Sequence, residues 1–292
     1  MVYVELPCDV GKPYRWGMPF SYCASNGSIV RFMKSLIPED KTLVIPACDG
    51  HAETDSPTQP VHWYDYNFAS TTVGIQELNA IRPDVIGILC SRNHSSPREV
   101  LMPLDDGTFD HGLPIISSIE WNARSPKLFW RGGASGTPCI RADMVMRFKD
   151  HPSMDMRLIG HYGTRGYPED LFAANVAPAV FCQSKYILII DGIVISSSHQ
   201  WVFGSGSVPV VITHPANHFW FKQYLIPYVN YVPISPSMNE LESVITWLQE
   251  NDDQAKQIAD NAMKLAARIF TPSFQREYLT REVLRAISVS EP

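Results

Sequence analysis

The residues best equipped for chemistry in this chain stand in small-residue turns that follow apolar runs. The loop Arg131-Gly132-Gly133-Ala134-Ser135-Gly136-Thr137 lies between the run PKLFWRG and a helix opened by Pro138. Small side chains let backbone N–H groups approach an anion closely, and a helix N-terminus together with Arg131 adds favourable charge. No Gly-Lys-Ser or Gly-Lys-Thr follows the glycines, so this is not a Walker loop. The same residues would also serve as a plain tight connection. A second cluster begins at Asp191-Gly192, continues with Ser196-Ser197-Ser198, and ends with Gly204-Ser205-Gly206-Ser207. Two strand ends with hydroxyl-rich turns in one sheet suggest a crevice for a phosphorylated ligand, although ordinary turns and caps favour the same residues.

Such turns must be carried by a scaffold, and the second half of the chain supplies one. PKLFWRG (126–132), MRLIGHY (156–162), KYILIIDG (185–192), VPVVITH (208–214) and YVNYVPI (228–234) are short and largely apolar, as strands buried on both faces of a parallel sheet must be. Helical stretches fit between them, which is the pattern of a doubly wound sheet binding ligands beyond its C-terminal strand ends. The first half is less regular: an amphipathic stretch NGSIVRFMKSLI, strands TLVIPAC (42–48) and DVIGILCS (84–91), and a possible helix VGIQELNAI between them. Near the C-terminus, Ser237 and Glu240 form a predicted capping box for NELESVITWLQE, Asp252 or Asp253 starts a second helix, and Thr271-Pro272 opens a last one ending near Ile287.

The organisation expected is an α/β protein with an N-terminal domain over 1–122, a nucleotide-binding domain over 123–270, and a terminal helix, 271–292, packing back on the first domain. A length of 292 residues suits two such domains. A net charge of −6 with no basic runs argues against nucleic-acid binding, which depends on neutralising phosphates. No stretch approaches the ~20 apolar residues of a membrane span, and the N-terminus lacks a signal-peptide pattern, so a soluble, cytoplasmic protein is expected. Six cysteines scattered singly are expected to be reduced.

FWRGGASGTPCIR, SKYILIIDGIVISSS, GSGSVPVV and YLIPYVNYVPISPSMNELESVITWLQENDDQAKQIA resemble, in order and spacing, the successive motifs of glycosyltransferase family 90, the Rumi and capsule-associated-protein family. That pattern runs W/F-R-G, K-Y-x-x-x-x-D/x-G, S-x-R, S/C-G-S, L-x-P-W-x-H-Y-x-P and L-x-x-x-x-x-W/F-x-x-x-N-D-x-x-A. The agreement covers residues 127–266, and the first half matches faintly. The resemblance implies an inverting transferase of GT-B type, with two Rossmann-like domains and a cleft between them. The second would bind the UDP moiety of a UDP-sugar, and the acceptor would be a glycan or glycoprotein hydroxyl. The form WRGGASG is closer to the fungal version than to the animal one, which tilts the expected sugar towards xylose over glucose.

Carried over by position, the resemblance puts Arg131 and the loop Gly132, Gly133, Ser135 and Gly136 at the pyrophosphate, with Arg141 in support. Lys185, Asp191, Gly192, Ser196, Ser198 and the turn Ser205, Gly206 and Ser207 complete the expected donor site. Arg131 could instead hold a carboxylate, Arg141 could be a solvated helix residue, and the serines could be caps. Two departures stand out: Ser198 replaces the arginine of S-x-R, and Asn230 replaces the histidine of the proline motif. Loss of a cation able to clamp phosphate bidentately would have to be made good by Arg131, Arg141 or Lys185, or else catalysis has been lost. The family's catalytic aspartate corresponds to Asp49 at the end of TLVIPACDG, with His51, Glu53 and Asp55 as substitutes; Asp-Gly is also a turn signal. No Asp-x-Asp triplet occurs, and Asp105-Asp106 reads as a turn, so neither catalytic metal nor other cofactor is expected. Two rival readings are a non-catalytic UDP-sugar-binding protein of the same fold and a glycoside hydrolase using Asp49 with Glu53.

Overall fold

The computed structural model describes residues 3–6, 28–38, 42–46, 85–89, 98–103, 107–113, 118–134, 140–160, 166–192, 195–196, 198–213 and 218–289. The chain divides into two compact units, one of Met1–Gly112, Ala216–Gln223 and Phe270–Pro292, the other of Leu113–Pro215 and Tyr224–Ile269.

In the first unit, β1 (Tyr3–Leu6), β2 (Thr42–Pro46), β3 (Val85–Leu89) and β4 (Glu99–Leu101) form a parallel sheet in chain order. Helix α1 (Ser28–Leu36) buries Ile29 and Met33, four residues apart on one face. A short helix α2 (Thr108–His111) follows β4. The last helix, which we label α8 (Pro272–Ser288), has the cap expected from Thr271-Pro272, the threonine hydroxyl accepting from Phe274 N at 3.3 Å. Edge strand β4 exposes a row of backbone groups that need partners. Helix α8 provides them: Tyr278 Oη donates to Leu101 O at 2.9 Å and an Arg285 Nη to Glu99 O at 2.9 Å. Trp220, Phe221, Phe270 and Tyr278 pack together as the aromatic part of this unit's core.

The second unit is a five-stranded parallel sheet in the order β6-β5-β7-β8-β9. Its strands are β5 (Ser125–Gly133), β6 (Met154–Ile159), β7 (Ser184–Ile190), β8 (Val208–Ile212) and β9 (Val232–Ile234). Every residue of β8 is buried and all but Lys185 of β7, whereas edge strand β6 alternates buried with half-buried positions. Central parallel strands lie under helices on both faces, which is why they read as continuous apolar runs. The helices are α3 (Ile140–Phe148), α4 (Pro178–Phe181), α5 (Ser198–Phe203), α6 (Leu241–Glu250) and α7 (Asp252–Ile269).

Two local expectations are corrected. Helix α6 begins after Glu240, and the box partner of that residue is Ser235 rather than Ser237: the carboxylate accepts from Ser235 N and, at 2.8 Å, from Ser235 Oγ. Of the run 228–234 only Val232–Ile234 is strand. Asn230 turns the chain before it, its Oδ1 accepting from Ile226 N at 2.9 Å and its Nδ2 donating to Tyr224 O at 3.0 Å. β1 and β4 carried no strand signal long enough to read, and the stretch VGIQELNAI lies outside the described residues.

Candidate functional site

From β5 the chain passes to β6 on one side and then returns to lay β7 on the other. The order therefore reverses between β5 and β7, and in doubly wound sheets a ligand crevice opens beyond the C-terminal ends of such a pair. Gly132 and Gly133 close β5, Asp191 and Gly192 follow β7, Ser196 precedes α5, which opens with Ser198 and His199, and Thr213 follows β8.

Gly132 is required by its neighbour. A Cβ there would fall 2.4 Å from Cζ2 of Trp130, two residues back on the same face of the strand. Over that indole, 5.9 Å from the ring centroid, stands the guanidinium of Arg141 from the first turn of α3. Arg141 Nη2 donates to Ile190 O at 2.8 Å and Nη1 to Gly133 O at 3.3 Å. One side chain thus ties the last carbonyls of β5 and β7 and keeps a permanent cation at the switch point.

Asp191 is 1% exposed and braces the other rim. Its carboxylate accepts from Ser196 N at 3.1 Å and from Thr213 Oγ1 at 2.6 Å, joining the ends of β7 and β8. His199 lies 3.7 Å from the same carboxylate. Burial pushes the pKa of its imidazole down, against the pull of Asp191 and of the Ser196 carbonyl. Its Nδ1 lies 3.0 Å from Ser196 O, and carries the proton in that bond. The hydroxyls of Ser196 and Ser198 share a hydrogen bond of 2.7 Å, so position 198 presents a hydroxyl pair where the resemblance anticipates a cation.

Several residues expected at this site are elsewhere. Arg131 turns along the sheet towards β6, with Nη2 2.7 Å from Asp155 Oδ1, Nη1 donating to Asp155 O and Trp130 O, and its guanidinium 4.4 Å over the Phe129 ring. Phe129 and Trp130 face opposite sides of β5, so Arg131 and Arg141 lie on opposite faces of the sheet. Arg131→Ala should therefore lower stability by about 1–2 kcal/mol while changing UDP affinity little. Calorimetry with UDP beside a thermal melt checks this, and a lost affinity with an unchanged melt would return Arg131 to the diphosphate.

Lys185 sits near the start of β7, roughly 17 Å along the strand from its far end at about 3.3 Å per residue. Its Nζ is 2.6 Å from Asp252 Oδ1 and 4.9 Å from the Trp121 ring centroid. Burial raises the Asp252 carboxyl, but hydrogen bonds from Lys185 and Trp121 outweigh it and leave the pKa lowered. Ser205, Gly206 and Ser207 precede β8 and also lie at the N-terminal edge of the sheet. They wrap around Arg124, the residue before β5, which is 7% exposed. Arg124 Nη1 donates to Ser207 Oγ at 2.7 Å, Nη2 to Ser205 O at 3.1 Å, and Nε and Nη2 to Ile119 O at 3.1 and 2.9 Å. Gly206 has φ 76°, and a Cβ on it would come within 2.8 Å of Arg124 Nη2. This turn is a buried latch, not a rim of the crevice.

Neither Arg124 nor His199 stood out in the sequence, because a lone arginine before a strand or a lone histidine in a short helix forms no pattern. Asp49, His51, Glu53, Asp55, Asp105, Asp106, Ser135 and Gly136 lie outside the described residues. Among those described, no group of three or more His, Cys, Asp and Glu could hold a metal ion, and no helix is long and apolar enough to cross a membrane.

The family model described as glycosyl transferase family 90 matches residues 115–279. Protein O-glucosyltransferase 3 of Rattus norvegicus is 26% identical over 156 residues, covering 52% of this chain and 30% of that protein. The O-glucosyltransferase rumi homolog of Anopheles gambiae is 28% identical over 173 residues, covering 56% of this chain and 42% of that one. The chain thus spans less than half the length of these two relatives. Among solved structures, HepE of Anabaena in complex with UDP aligns with a TM-score of 0.51 at 12% identity, over 89% of this chain and 75% of that one. At such identity the likeness bears on fold, and the fold class is α/β of the GT-B type.

Proposed function

The chain belongs to glycosyl transferase family 90, and from that membership we propose that it transfers a sugar from a UDP-sugar to a hydroxyl of a glycan or glycoprotein. Xylose is favoured over glucose, and the anomeric carbon inverts. The observation that carries the reading is that the family match, 115–279, takes in the whole of the sheet whose switch point lies at β5 and β7. Relatives are named as O-glucosyltransferases, and HepE holds UDP.

In the proposed step the acceptor oxygen attacks the anomeric carbon from the face opposite UDP. The new C–O bond forms as the bond to the β-phosphate oxygen breaks, and the acceptor proton passes to Asp49. The leaving diphosphate gains negative charge, and we assign its stabilisation to Arg141 and the Gly132-Gly133 backbone. Of the cations proposed from the sequence for this role, Arg141 alone stands at the switch point among the described residues; Arg131 and Lys185 are bonded to Asp155 and Asp252.

Titration with UDP, UDP-xylose, UDP-glucose and GDP tests the donor. UDP and UDP-xylose should bind and GDP should not; preference for GDP, or no binding at all, overturns the reading. Transfer should also survive excess EDTA, because charge neutralisation is assigned to Arg141 and backbone N–H groups. Complete loss restored by manganese would overturn metal independence.

A second reading, a non-catalytic UDP-sugar-binding protein, is favoured by one feature, the hydroxyl of Ser198 bonded to Ser196 where the family pattern has arginine. Binding of UDP-xylose without hydrolysis or transfer across an acceptor panel would select it.

A further inference from the structure

The loop before β9 holds an aromatic ring outward on an unusual backbone. Tyr228 is 50% exposed and has φ 58°, a left-handed conformation that costs free energy for a residue with a Cβ. The conformation is held from several sides. Tyr228 N donates to Tyr231 O at 2.8 Å, the buried Asn230 side chain bonds the backbone of Tyr224 and Ile226, and Asn261 Nδ2 from α7 donates to Val229 O at 3.0 Å. The Tyr228 ring meets Trp247 of α6 edge to face, with centroids 5.7 Å apart and planes at 89°. The two rings make a corner, and beside it lies a hollow of about 280 Å³.

The walls of this hollow select a chemistry. Val229 and the rings supply apolar surface; Gln257 Nε2 donates to Asn261 Oδ1 at 3.0 Å and Asn261 Nδ2 to Val229 O, leaving the Gln254 carboxamide and Gln257 Oε1, one turn apart on α7, for a ligand. Among the described residues no charged side chain lines it. The charges of that stretch of α7 are spent elsewhere, Lys256 pairing with Asp260 at 2.7 Å. A carboxamide offers both donors and acceptors, as does a sugar hydroxyl, and an aromatic face suits the C–H face of a pyranose ring. A fatty chain would make no use of the Gln254 carboxamide and Gln257 Oε1, and an anion would find no cation. The volume lies just under the ~300–1,000 Å³ of ligand pockets, small enough for the end of a glycan.

We infer that the Tyr228–Trp247 hollow is a saccharide-binding site for a neutral glycan chain, separate from the site of transfer. Its position supports the separation. Tyr228 and Val229 precede β9, and the start of α7 is bound through Asp252 to Lys185 and Trp121, so the hollow lies towards the N-terminal edge of the sheet. The switch point is at the opposite edge. A site there would hold a glycan without occupying the position of the donor.

Saturation-transfer NMR with xylotriose, maltotriose and cellotriose tests the assignment. At least one trisaccharide should show transfer to its ring C–H protons, and saturating UDP should leave the signal in place. Tyr228→Gly removes the ring and suits the left-handed backbone, so the variant should fold, keep its UDP affinity and bind the trisaccharide at least about tenfold more weakly. Gln257→Ala should weaken binding without altering the UDP titration. Absence of binding by all three sugars, displacement by UDP, or unchanged affinity in Tyr228→Gly would overturn the inference. So would concentration-dependent self-association abolished by Tyr228→Gly, which would make the hollow a contact between copies. Because none of these readouts needs turnover, failure here is distinguishable from failure of the proposed transfer reaction.

Discussion

Asp49→Asn should lower turnover roughly 10²–10⁴-fold while leaving UDP affinity nearly unchanged. The amide keeps the shape of the carboxylate and still hydrogen-bonds an acceptor hydroxyl, but it cannot take the proton as the new glycosidic bond forms. The nucleotide is assigned to residues of the other unit, so its binding has no reason to follow the loss. Glu53→Gln and Asp55→Asn are the controls and should retain most activity. Near-normal transfer by Asp49→Asn would place the base elsewhere, and loss of UDP binding together with activity would assign Asp49 to the donor site or to the fold.

Arg124→Ala should destabilise the protein by about 3 kcal/mol or more, the largest stability effect expected of a single polar side chain here. Four hydrogen bonds end on this buried guanidinium, and its removal takes away those to Ser207, Ser205 O and Ile119 O while leaving a cavity beside Gly206. Ser207 is tied in as well, since its hydroxyl also donates to Ser184 O at 2.7 Å and so joins the starts of β7 and β8. Lysine keeps the charge but cannot span these acceptors, so Arg124→Lys should recover only part of the loss. Urea unfolding followed by circular dichroism would read the shift in midpoint, with UDP affinity of the folded fraction unchanged. An unmoved midpoint would show that water satisfies these groups as well as the arginine does.

The elements of the second unit were legible because burial on both faces demands unbroken apolar runs, and β7 and β8 match the predicted runs closely. Thr271-Pro272 was legible for a similar reason: a cap acts within a few residues of itself. The run ending in β9 misled because its apolar residues at 228 and 229 serve a loop held by Asn230, and apolar content does not distinguish a strand from an exposed aromatic turn. The capping box slipped by two residues because serines stand at both 235 and 237, and only the path of the chain chose between them.

The sequence by itself determined the family, the α/β class and the small-residue turns at Gly132 and Asp191, since motif order and hydrophobic period are properties of the chain alone. The tertiary structure decided which of the charged and hydroxyl residues share a place. Turns rich in serine look alike in sequence, yet a parallel sheet has two edges, and a turn entering a strand lies a full strand length from one leaving it. Ser196 and Ser198 therefore stand at the switch point with Arg141, while Ser205 and Ser207 close around Arg124 at the other edge. Arginines 131 and 141 are separated by the alternation of side chains along β5, which sends one to Asp155 and the other to the ends of β5 and β7. Partners distant in sequence, Asp155 at 24 residues and Ile190 at 49, are supplied by strand order, and no spacing within a motif encodes them.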